Sequence, residues 1–260
     1  MNFFIDLSDK RNNYVANSLS NMGHIVEKFE FNNGKQGDIF IFSPAKKFNE
    51  NEIKKFSSGI IIFGGNINDE TLQNFKNKNI KYINLLKDEN FVVKNAKLTA
   101  EGVLALTISC NEKSIFENKV LILGSGRVGL AIASLFNKLN IDADFAIFHK
   151  DKFAIASFYC KNVIFKDDFP KMIGEYDIII NTVPAKILND DMLNKINKKA
   201  IILEIASINC LNSDLLKFYT FKYVSAPALP MVYCAETAGK FMLDSILKEL
   251  NNLKDKEIIK

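Results

Sequence analysis

Short apolar runs alternate with polar, helix-capable segments along the first third of the chain. The apolar runs are FFIDL (3–7), IVEKFEF (25–31), DIFIF (38–42), GIIIF (59–63) and KYINLL (81–86). The segments between them that predict helices are 11–22, 48–56 and 69–77. Near-continuous runs of β-branched and aromatic residues, separated by helices, are typical of a parallel sheet that is covered on both faces. We therefore expect a small, flavodoxin-like α/β domain at residues 1–95.

A second α/β series follows a polar, broken segment at 87–98 and a predicted helix at 98–109. Thr99 is the expected N-cap of this helix, which places Glu101 in its first turn. Strands are predicted at 119–124, 143–148, 162–165, 177–181, 200–205 and 221–225. Helices are predicted at about 127–139, 151–158, 168–174, 186–196, 211–218 and 236–253. This order predicts an α/β fold of two domains.

The second domain is expected to be a doubly wound Rossmann domain that spans, with its entering helix, residues 96–235. The last segment, 236–260, is expected to return as a helix that packs toward the first domain. Ligands should then bind in the cleft between the domains, at the carboxyl ends of the strands.

Length, charge and cysteine usage narrow the class of protein. The chain has 260 residues, of which 48% are hydrophobic, which is enough for two modest cores. No window is long and apolar enough for a membrane span, and the N-terminus lacks a signal-peptide pattern, so we expect a cytoplasmic protein. The net charge of +4 is spread along the chain without a basic stripe, which argues against nucleic-acid binding. The four cysteines are widely spaced and only two histidines are present, so we expect no metal site.

The stretch KVLILGSGRVGLAIA (119–133) has the pattern of a dinucleotide-binding loop between a strand and a helix. Gly124 permits the tight turn, Gly126 lets the backbone approach a pyrophosphate, and Gly129 lets the helix pack closely on the strand. The helix N-terminus then presents unpaired N–H groups and a positive dipole to the phosphates. Arg127, one of only two arginines in the chain, can reach a phosphate from the first helical turn. The candidate cofactor-binding residues of this loop are Gly124, Ser125, Gly126, Arg127, Val128 and Gly129.

The end of the next strand bears on the choice between the two nicotinamide cofactors. An NAD site normally has Asp or Glu there, which bonds the 2′-hydroxyl of the ribose. The chain instead reads AIFHKDK (146–152), so His149 and Lys150 stand where they would attract a 2′-phosphate. We therefore predict NADP rather than NAD, with a ribose contact from Asp151 as the alternative.

Two later strand ends supply candidates for the nicotinamide half of the cofactor. These candidates are Asn181, Thr182, Val183, Pro184, Ala206 and Ser207. Asn181 and Thr182 end the fourth predicted strand of the domain, at the edge where a nicotinamide ribose usually lies. Helix capping or turn chemistry is the alternative role for all six residues.

Three further segments are more specific than the glycine loop. They are INTVPAKILN (180–189), ILEIAS (202–207) and SAPALPMVYCAETAG (225–239). Together with GSGRVG and with TAEG (99–102), they resemble the family formed by the A subunits of bacterial dipicolinate synthase, over about 95–250.

The resemblance is looser elsewhere. In the first domain, Asp9 and Arg11 look like the family's Asp-x-Arg after the first strand, although the glycines usual before that Asp are missing. The chain also departs from the family at INCLN (208–212), where a glycine-rich stretch is usual. At 227–231 it reads Pro-Ala-Leu-Pro-Met where Pro-Gly-Leu-Pro-Gly is usual.

The resemblance implies an NADP-linked oxidation that makes a pyridine ring. The A subunit of this family acts with a flavoprotein-like B subunit and converts dihydrodipicolinate, or its hydroxylated precursor, into dipicolinate in the mother cell of sporulating bacteria. A second hypothesis is another bipartite NAD(P)-dependent dehydrogenase of a small dicarboxylate or amino acid. A third is a non-catalytic cofactor-binding subunit that regulates its partner. The subunit stoichiometry, including a homo-oligomer, is left open.

Oxidation of a dicarboxylate to an aromatic ring needs a hydride acceptor, a base and cations for two carboxylates. Arg11, oriented by Asp9, is the candidate residue for binding a carboxylate. Neither histidine lies at a suitable position for the base, so Glu101 is the candidate base, with a helix-stabilising role as its alternative. The further candidates for substrate binding are Thr99, Pro230 and Thr237.

Overall fold

A computed structural model describes residues 1–31, 34–160 and 162–255 of the chain. These residues form two compact units. The first consists of Met1–Asn95 together with the chain from Cys234 onward, and the second is Ala96–Tyr233.

The elements alternate between strands and helices in both units. The strands are β1 (Asn2–Ile5), β2 (Ile25–Lys28), β3 (Ile39–Ile41), β4 (Ile61–Gly64), β5 (Lys81–Asn84), β6 (Val120–Leu123), β7 (Ala143–Ile147), β8 (Val163–Phe165), β9 (Ile178–Asn181), β10 (Ile201–Glu204) and β11 (Lys222–Ser225). The α-helices are α1 (Lys10–Asn21), α2 (Glu50–Lys55), α3 (Asp69–Asn77), α4 (Glu89–Cys110), α5 (Arg127–Lys138), α6 (Phe153–Ser157), α7 (Phe169–Met172), α8 (Asp190–Leu193), α9 (Leu229–Tyr233) and α10 (Ala235–Asp255). Short 3₁₀ turns lie at Leu85–Lys87, Ile115–Glu117, Lys150–Lys152, Ile173–Glu175 and Ser213–Phe218.

The first unit is built on a five-stranded parallel sheet in the order β2-β1-β3-β4-β5. This is the flavodoxin-like order, as predicted. On one face of the sheet, Phe3 and Ile5 of β1 share a buried cluster with Val15 of α1 and Met242 of α10. The other face is covered by a second cluster, which contains many phenylalanine rings in edge-to-face contact, among them Phe40, Phe42, Phe56 and Phe75. Both faces of the sheet are therefore covered by apolar side chains, which explains why β1, β3 and β4 are apolar at nearly every position.

The C-terminal helix α10 packs against α1 within the first unit, as predicted. The contact is close because Gly239 has no side chain: a Cβ there would lie 2.7 Å from the backbone oxygen of Arg11 and 2.9 Å from Cβ of Tyr14. The apolar side of α10 supplies buried residues to the core at regular helical spacing, namely Met242, Ile246, Leu250 and Leu253.

The second unit is built on a six-stranded parallel sheet in the order β11-β10-β9-β6-β7-β8. Numbered within the unit, this is the doubly wound Rossmann order, which confirms the predicted fold class. The chain reverses its direction of winding between β6 and β9. In folds of this type, ligands bind at the carboxyl ends of the strands on either side of that reversal.

The prediction at the start of α4 was wrong. Residues 87–98 are not a broken segment, because the helix begins at Glu89 and runs without interruption to Cys110. Its buried residues come from more than one side: Phe91 contributes to the core of the first unit and Val103 to a core of the second. A helix that is apolar on several sides loses the single periodic stripe on which the prediction depended.

Two other helices are shorter than predicted. Only Asp190–Leu193 is α-helical within 186–196, and 211–218 contains the 3₁₀ turn Ser213–Phe218. No helix in the described parts of the chain has the length and apolar character needed to cross a bilayer.

Candidate cofactor and substrate site

The turn that follows β6 can form only with glycine at two positions. Gly124 has a φ of 102°, and a Cβ there would lie 2.6 Å from Val183 and 2.8 Å from Oγ1 of Thr182. A Cβ on Gly129 would overlap the carbonyl oxygen of Gly124. The absence of both side chains lets α5 start directly at the carboxyl edge of the sheet, as the glycine spacing predicted.

Gly126 has a different role, because its backbone is ordinary and the space beside it is open. Its φ is −77°, which any residue adopts, and no atom lies within 4 Å of where a Cβ would be. Gly126 is the N-cap of α5 and, as a glycine, offers no side-chain acceptor to the first turn. A helix N-terminus favours a negatively charged group, and the open space beside Gly126 admits the close approach of a phosphate. The loop fits a dinucleotide on these grounds.

The other candidates of this loop flank Gly126 in the sequence. Arg127 is the first residue of α5 and its side chain is exposed, while Ser125 and Val128 are half-buried. An exposed guanidinium on the first helical turn can swing toward a bound phosphate.

The end of β7 carries basic side chains. The strand ends at Ile147, and His149 and Lys150 follow it with exposed side chains. The next carboxylate, Asp151, forms an ion pair of 3.2 Å with Lys152. Two basic side chains are therefore exposed directly after β7, and the carboxylate of Asp151 is paired with Lys152.

Asn181 ends β9, as predicted, and its side chain is buried within the protein. Its Oδ1 accepts from Val183 N at 3.0 Å, and its Nδ2 donates to Val183 O at 3.0 Å. Thr182 follows and donates to the carbonyl oxygen of Leu123 at 2.8 Å. These two side chains therefore shape the turn after β9 and fasten it to the glycine loop. Pro184, beyond them, is exposed.

Ala206 and Ser207 do not end β10, because the strand stops at Glu204. Sequence reasoning missed Glu204, although a carboxylate at the end of an otherwise apolar strand was a signal that could have found it. The Glu204 side chain is completely buried and accepts from Asn181 Nδ2 at 2.7 Å, Ala206 N at 3.1 Å, Cys210 N at 2.6 Å and the Tyr223 hydroxyl at 3.3 Å. Ser207 lies in the loop and is exposed.

The surroundings of Glu204 keep its neighbours protonated. Burial, and then the negative charge of Glu204, raise the pKa of the Tyr223 hydroxyl above its usual range. The same two causes raise the pKa of the Cys210 thiol. The hydroxyl therefore stays a hydrogen-bond donor to the carboxylate at any physiological pH.

In the first unit, Asp9 and Arg11 form a buried ion pair at the point where β1 gives way to α1. The guanidinium donates from Nη2 to Oδ2 of Asp9 at 2.6 Å and from Nε to Oδ1 at 3.0 Å. Asp9 also N-caps α1 by accepting from the backbone N of Arg11 at 3.0 Å. Burial raises the pKa of the Asp9 carboxyl, but the hydrogen bonds and charge of Arg11, with a hydrogen bond from Ser43, outweigh burial and lower it below its usual value. Asp9 thus orients Arg11, as the sequence suggested.

The remaining substrate candidates are divided between the units. Thr237 belongs to the first unit, on the first turn of α10, and is exposed. Thr99, Glu101 and Pro230 belong to the second. Thr99 and Glu101 lie in the middle of α4, so Thr99 is not an N-cap and Glu101 is not in a first turn, because the helix starts ten residues before Thr99.

Within the second unit, α4 passes close to the short helix that carries Pro230. A Cβ on Gly102 would lie 2.8 Å from Cβ of Leu229, so the glycine permits this approach. Glu101, next to Gly102, has an exposed side chain, whereas Thr99 and Pro230 are buried. In the described residues, no group of three or more His, Cys, Asp or Glu side chains could hold a metal ion.

Comparison with known proteins agrees with the resemblance drawn from the motifs. No protein-family model matches the chain. The A subunit of dipicolinate synthase from Bacillus subtilis (strain 168) is 27% identical over 199 residues, which cover 76% of this chain and 67% of that protein. The crystal structure of the A subunit from Bacillus halodurans is similar with a TM-score of 0.84 and 19% identity, and covers 96% of this chain and 97% of its own. The corresponding crystal structure from Bacillus subtilis gives a TM-score of 0.82 at 20% identity, covering 98% of this chain and 97% of its own.

The resemblance to the A subunits of dipicolinate synthase is therefore confirmed, in sequence by the similarity to the Bacillus subtilis protein and in fold by the two crystal structures. The same fold is shared with dehydrogenases of D-2-hydroxy acids. One of them, a D-isomer specific 2-hydroxyacid dehydrogenase from Lactobacillus delbrueckii ssp. bulgaricus, is an NAD complex and is similar with a TM-score of 0.59 at 11% identity, covering 98% of this chain and 97% of its own.

The buried pair in the first unit makes a prediction about stability and pH. Folding lowers the pKa of Asp9 from its ordinary value of 3.8, so the pair stabilises the fold above that pH, and this contribution is lost as the pH falls through the lower folded-state value. Replacing Asp9 by Asn leaves a buried guanidinium without its counter-charge, which should reduce the free energy of unfolding by about 3–5 kcal/mol at pH 7. Urea unfolding should show the difference from wild type shrinking as the pH is lowered below 4.

The matched control is Asp244→Asn. Asp244 is an exposed residue of α10 whose distance to Lys94 is 3.8 Å. Because exposed ion pairs contribute little, its effect should stay within about 0.5 kcal/mol. Equal losses in the two variants would contradict a special role for the buried pair.

Proposed function

We propose that this chain is the dinucleotide-binding subunit of a dipicolinate synthase, and that it oxidises dihydrodipicolinate with NADP in cooperation with a B subunit. The observation that carries the proposal is the open space at Gly126, at the N-terminus of α5 and next to the reversal of the Rossmann sheet. The sequence similarity to the A subunit of a dipicolinate synthase supplies the substrate class. By the same resemblance, the protein acts in the cytoplasm of a sporulating bacterium.

The cofactor half of the proposal follows the geometry of the second unit. The pyrophosphate binds the N–H groups at the start of α5, and Arg127 binds one of its oxygens. The adenosine half extends toward the end of β7, where His149 and Lys150 bind a 2′-phosphate. The nicotinamide half extends the other way, over the turns after β9 and β10, where Thr182 and Ser207 contact it. When bound, NADP supplies the hydride acceptor.

The substrate half rests on the buried ion pair and on α4. Arg11 binds a carboxylate of the substrate, and Asp9 holds its guanidinium in a single orientation because two of the nitrogens are engaged. Glu101 is the proposed base, since its exposed carboxylate can accept a proton and release it to water. The exposed Thr237 and the backbone around Pro230 complete the contacts with the substrate.

Gly126→Ala tests phosphate binding directly. The added methyl group meets no protein atom within 4 Å and the backbone is unstrained, so the fold should be kept. The methyl group would occupy the space that a pyrophosphate needs, so NADPH should bind at least tenfold more weakly, measured by fluorescence titration. Asn137→Ala, an exposed change at the far end of α5, is the control and should leave the affinity unchanged. Unaltered NADPH binding by Gly126→Ala would show that the phosphates lie elsewhere.

The cofactor preference is tested by Lys150→Glu. The wild-type chain should bind NADPH more tightly than NADH, because His149 and Lys150 attract the 2′-phosphate. A glutamate at position 150 should repel that phosphate, so NADPH should bind at least tenfold more weakly while the affinity for NADH is not reduced. Lys199→Glu, an exposed charge reversal before β10, should change neither affinity. Wild-type binding of NADH that is tenfold tighter than that of NADPH would refute the preference.

The reaction is tested with both subunits present. The wild-type chain and the B subunit, given dihydrodipicolinate and NADP, should produce NADPH absorbance together with the ultraviolet absorbance of a pyridine dicarboxylate. Arg11→Lys should raise KM for the substrate at least tenfold, because the ammonium cannot make the planar two-point contact. Glu101→Gln should lower kcat by about 10²–10⁴-fold if the residue is the base. Full activity in both variants would favour a non-catalytic cofactor-binding subunit instead.

A further inference from the structure

The Glu204 carboxylate joins three segments of the second unit that are far apart in sequence. Its donors come from the end of β9 (Asn181), from the loop after β10 (Ala206 and Cys210) and from β11 (Tyr223). All four donors are neutral N–H or O–H groups. Burying a carboxylate costs free energy, and here that cost is offset only by hydrogen bonds from neutral groups. Loss of any one of these hydrogen bonds should therefore destabilise the fold, and each donor is held in a fixed direction by the carboxylate.

The loop after β9 is fastened to the same point. The carbonyl oxygen of Cys210 accepts from Ile187 N at 2.8 Å and from Leu188 N at 3.0 Å, while the N–H of Cys210 donates to Glu204. Through Cys210 and Asn181, the carboxylate therefore holds both ends of the loop after β9 as well as the loop after β10. Beyond the ladder bonds of their first residues, from Thr182 N to Leu123 O and from Ile205 N to Asn181 O, these contacts with Glu204 and Cys210 tie the two loops to the sheet.

The position of the two loops in the sheet indicates which part of a dinucleotide they face. The phosphates lie at the start of α5, beside β6, and the adenosine half extends over β7. The strands on the other side of β6 are β9 and then β10. The loops that Glu204 holds thus lie on the side opposite the adenosine half.

We propose that Glu204 is a positioning residue for the nicotinamide half of the cofactor, holding the loops after β9 and β10 in the arrangement that receives it. This inference rests on the proposed function, and it gives a role to Glu204, which lies within the ILEIAS segment but is not among the candidate site residues taken from the sequence. Glu204 does not touch the cofactor in this proposal; it acts through Asn181 and through the backbone of 205–210.

The decisive experiment separates the two halves of the cofactor. Glu204→Gln keeps the length of the side chain but turns an NH₂ group against N–H and O–H donors. Binding of NADPH and of its fragment 2′,5′-ADP would be measured by calorimetry for the wild type and the variant, with NADH and ADP in parallel. The variant should bind NADPH at least tenfold more weakly and 2′,5′-ADP within twofold of wild type, because the fragment lacks the nicotinamide half.

Asp144→Asn is the matched control. Asp144 is also a buried carboxylate with neutral partners, accepting from Tyr176 OH at 2.7 Å and from Asn162 Nδ2 at 2.9 Å, but it lies near the amino end of β7. Its replacement should lower the thermal midpoint, as loss of any buried network does, and leave the ratio of the NADPH and 2′,5′-ADP affinities unchanged. A purely structural role for Glu204 would give the same pattern as this control.

The outcomes separate this inference from the function on which it rests. A wild-type chain that binds none of the four ligands overturns the proposed function and this assignment with it. A wild-type chain that binds NADPH, beside a folded Glu204→Gln variant whose affinities for NADPH and 2′,5′-ADP are unchanged or reduced equally, overturns only the assignment. Glu204→Asp, which keeps the charge but is too short to reach all four donors, undergoes the same titrations with the same criteria if the glutamine variant does not fold.

Discussion

The contact between Gly124 and Gly129 is the constraint on which the second unit depends. A side chain on Gly129 would overlap the oxygen of Gly124, so the helix can lie this close to the strand only because both residues lack one. That proximity places the first turn of α5 at the carboxyl edge of the sheet, where the space beside Gly126 is open. The turn after β9 depends on the same contact, because Thr182 donates to the carbonyl oxygens of Leu123 and Gly124. One steric requirement thus sets both the position of the helix N-terminus and that of the neighbouring loop.

Two buried carboxylates stabilise the loops of this chain in different ways. Asp9 has a cationic partner, so its charge is compensated locally and its pKa falls although burial alone would raise it. Glu204 is held by dipoles, from two backbone N–H groups, an amide and a hydroxyl. An ion pair such as that of Asp9 and Arg11 fixes a side chain that can act on a ligand. A carboxylate held by backbone donors fixes the course of the chain, which suits a scaffold for a binding loop.

Most of the fold could be predicted from the sequence, because parallel sheets covered on both faces need apolar strands, and these runs are easy to see. The glycine loop was equally easy to identify, because each of its three glycines has a separate steric reason. The start of α4 could not be predicted in this way, because Phe91 and Val103 are buried in different cores and leave no single apolar stripe. Glu204 was missed for a related reason: its role comes from donors at positions 181, 206, 210 and 223, which only the folded sheet brings together.

The positions of the two histidines bear on the chemistry of the proposed oxidation. His24 precedes β2, so it lies at the amino edge of the first sheet, whereas the Asp9–Arg11 pair follows β1 at the carboxyl edge. Burial, with the charges of the N-terminus and Lys254, lowers the pKa of His24 and so favours its neutral form. His149 follows β7, on the adenosine side of the proposed cofactor. Neither imidazole is therefore placed to take a proton from a substrate held by Arg11 and oxidised at the nicotinamide. The proposed reaction instead uses a carboxylate as base, and it can do so because removal of hydride and proton creates an aromatic ring, whose stability lowers the demand on the base.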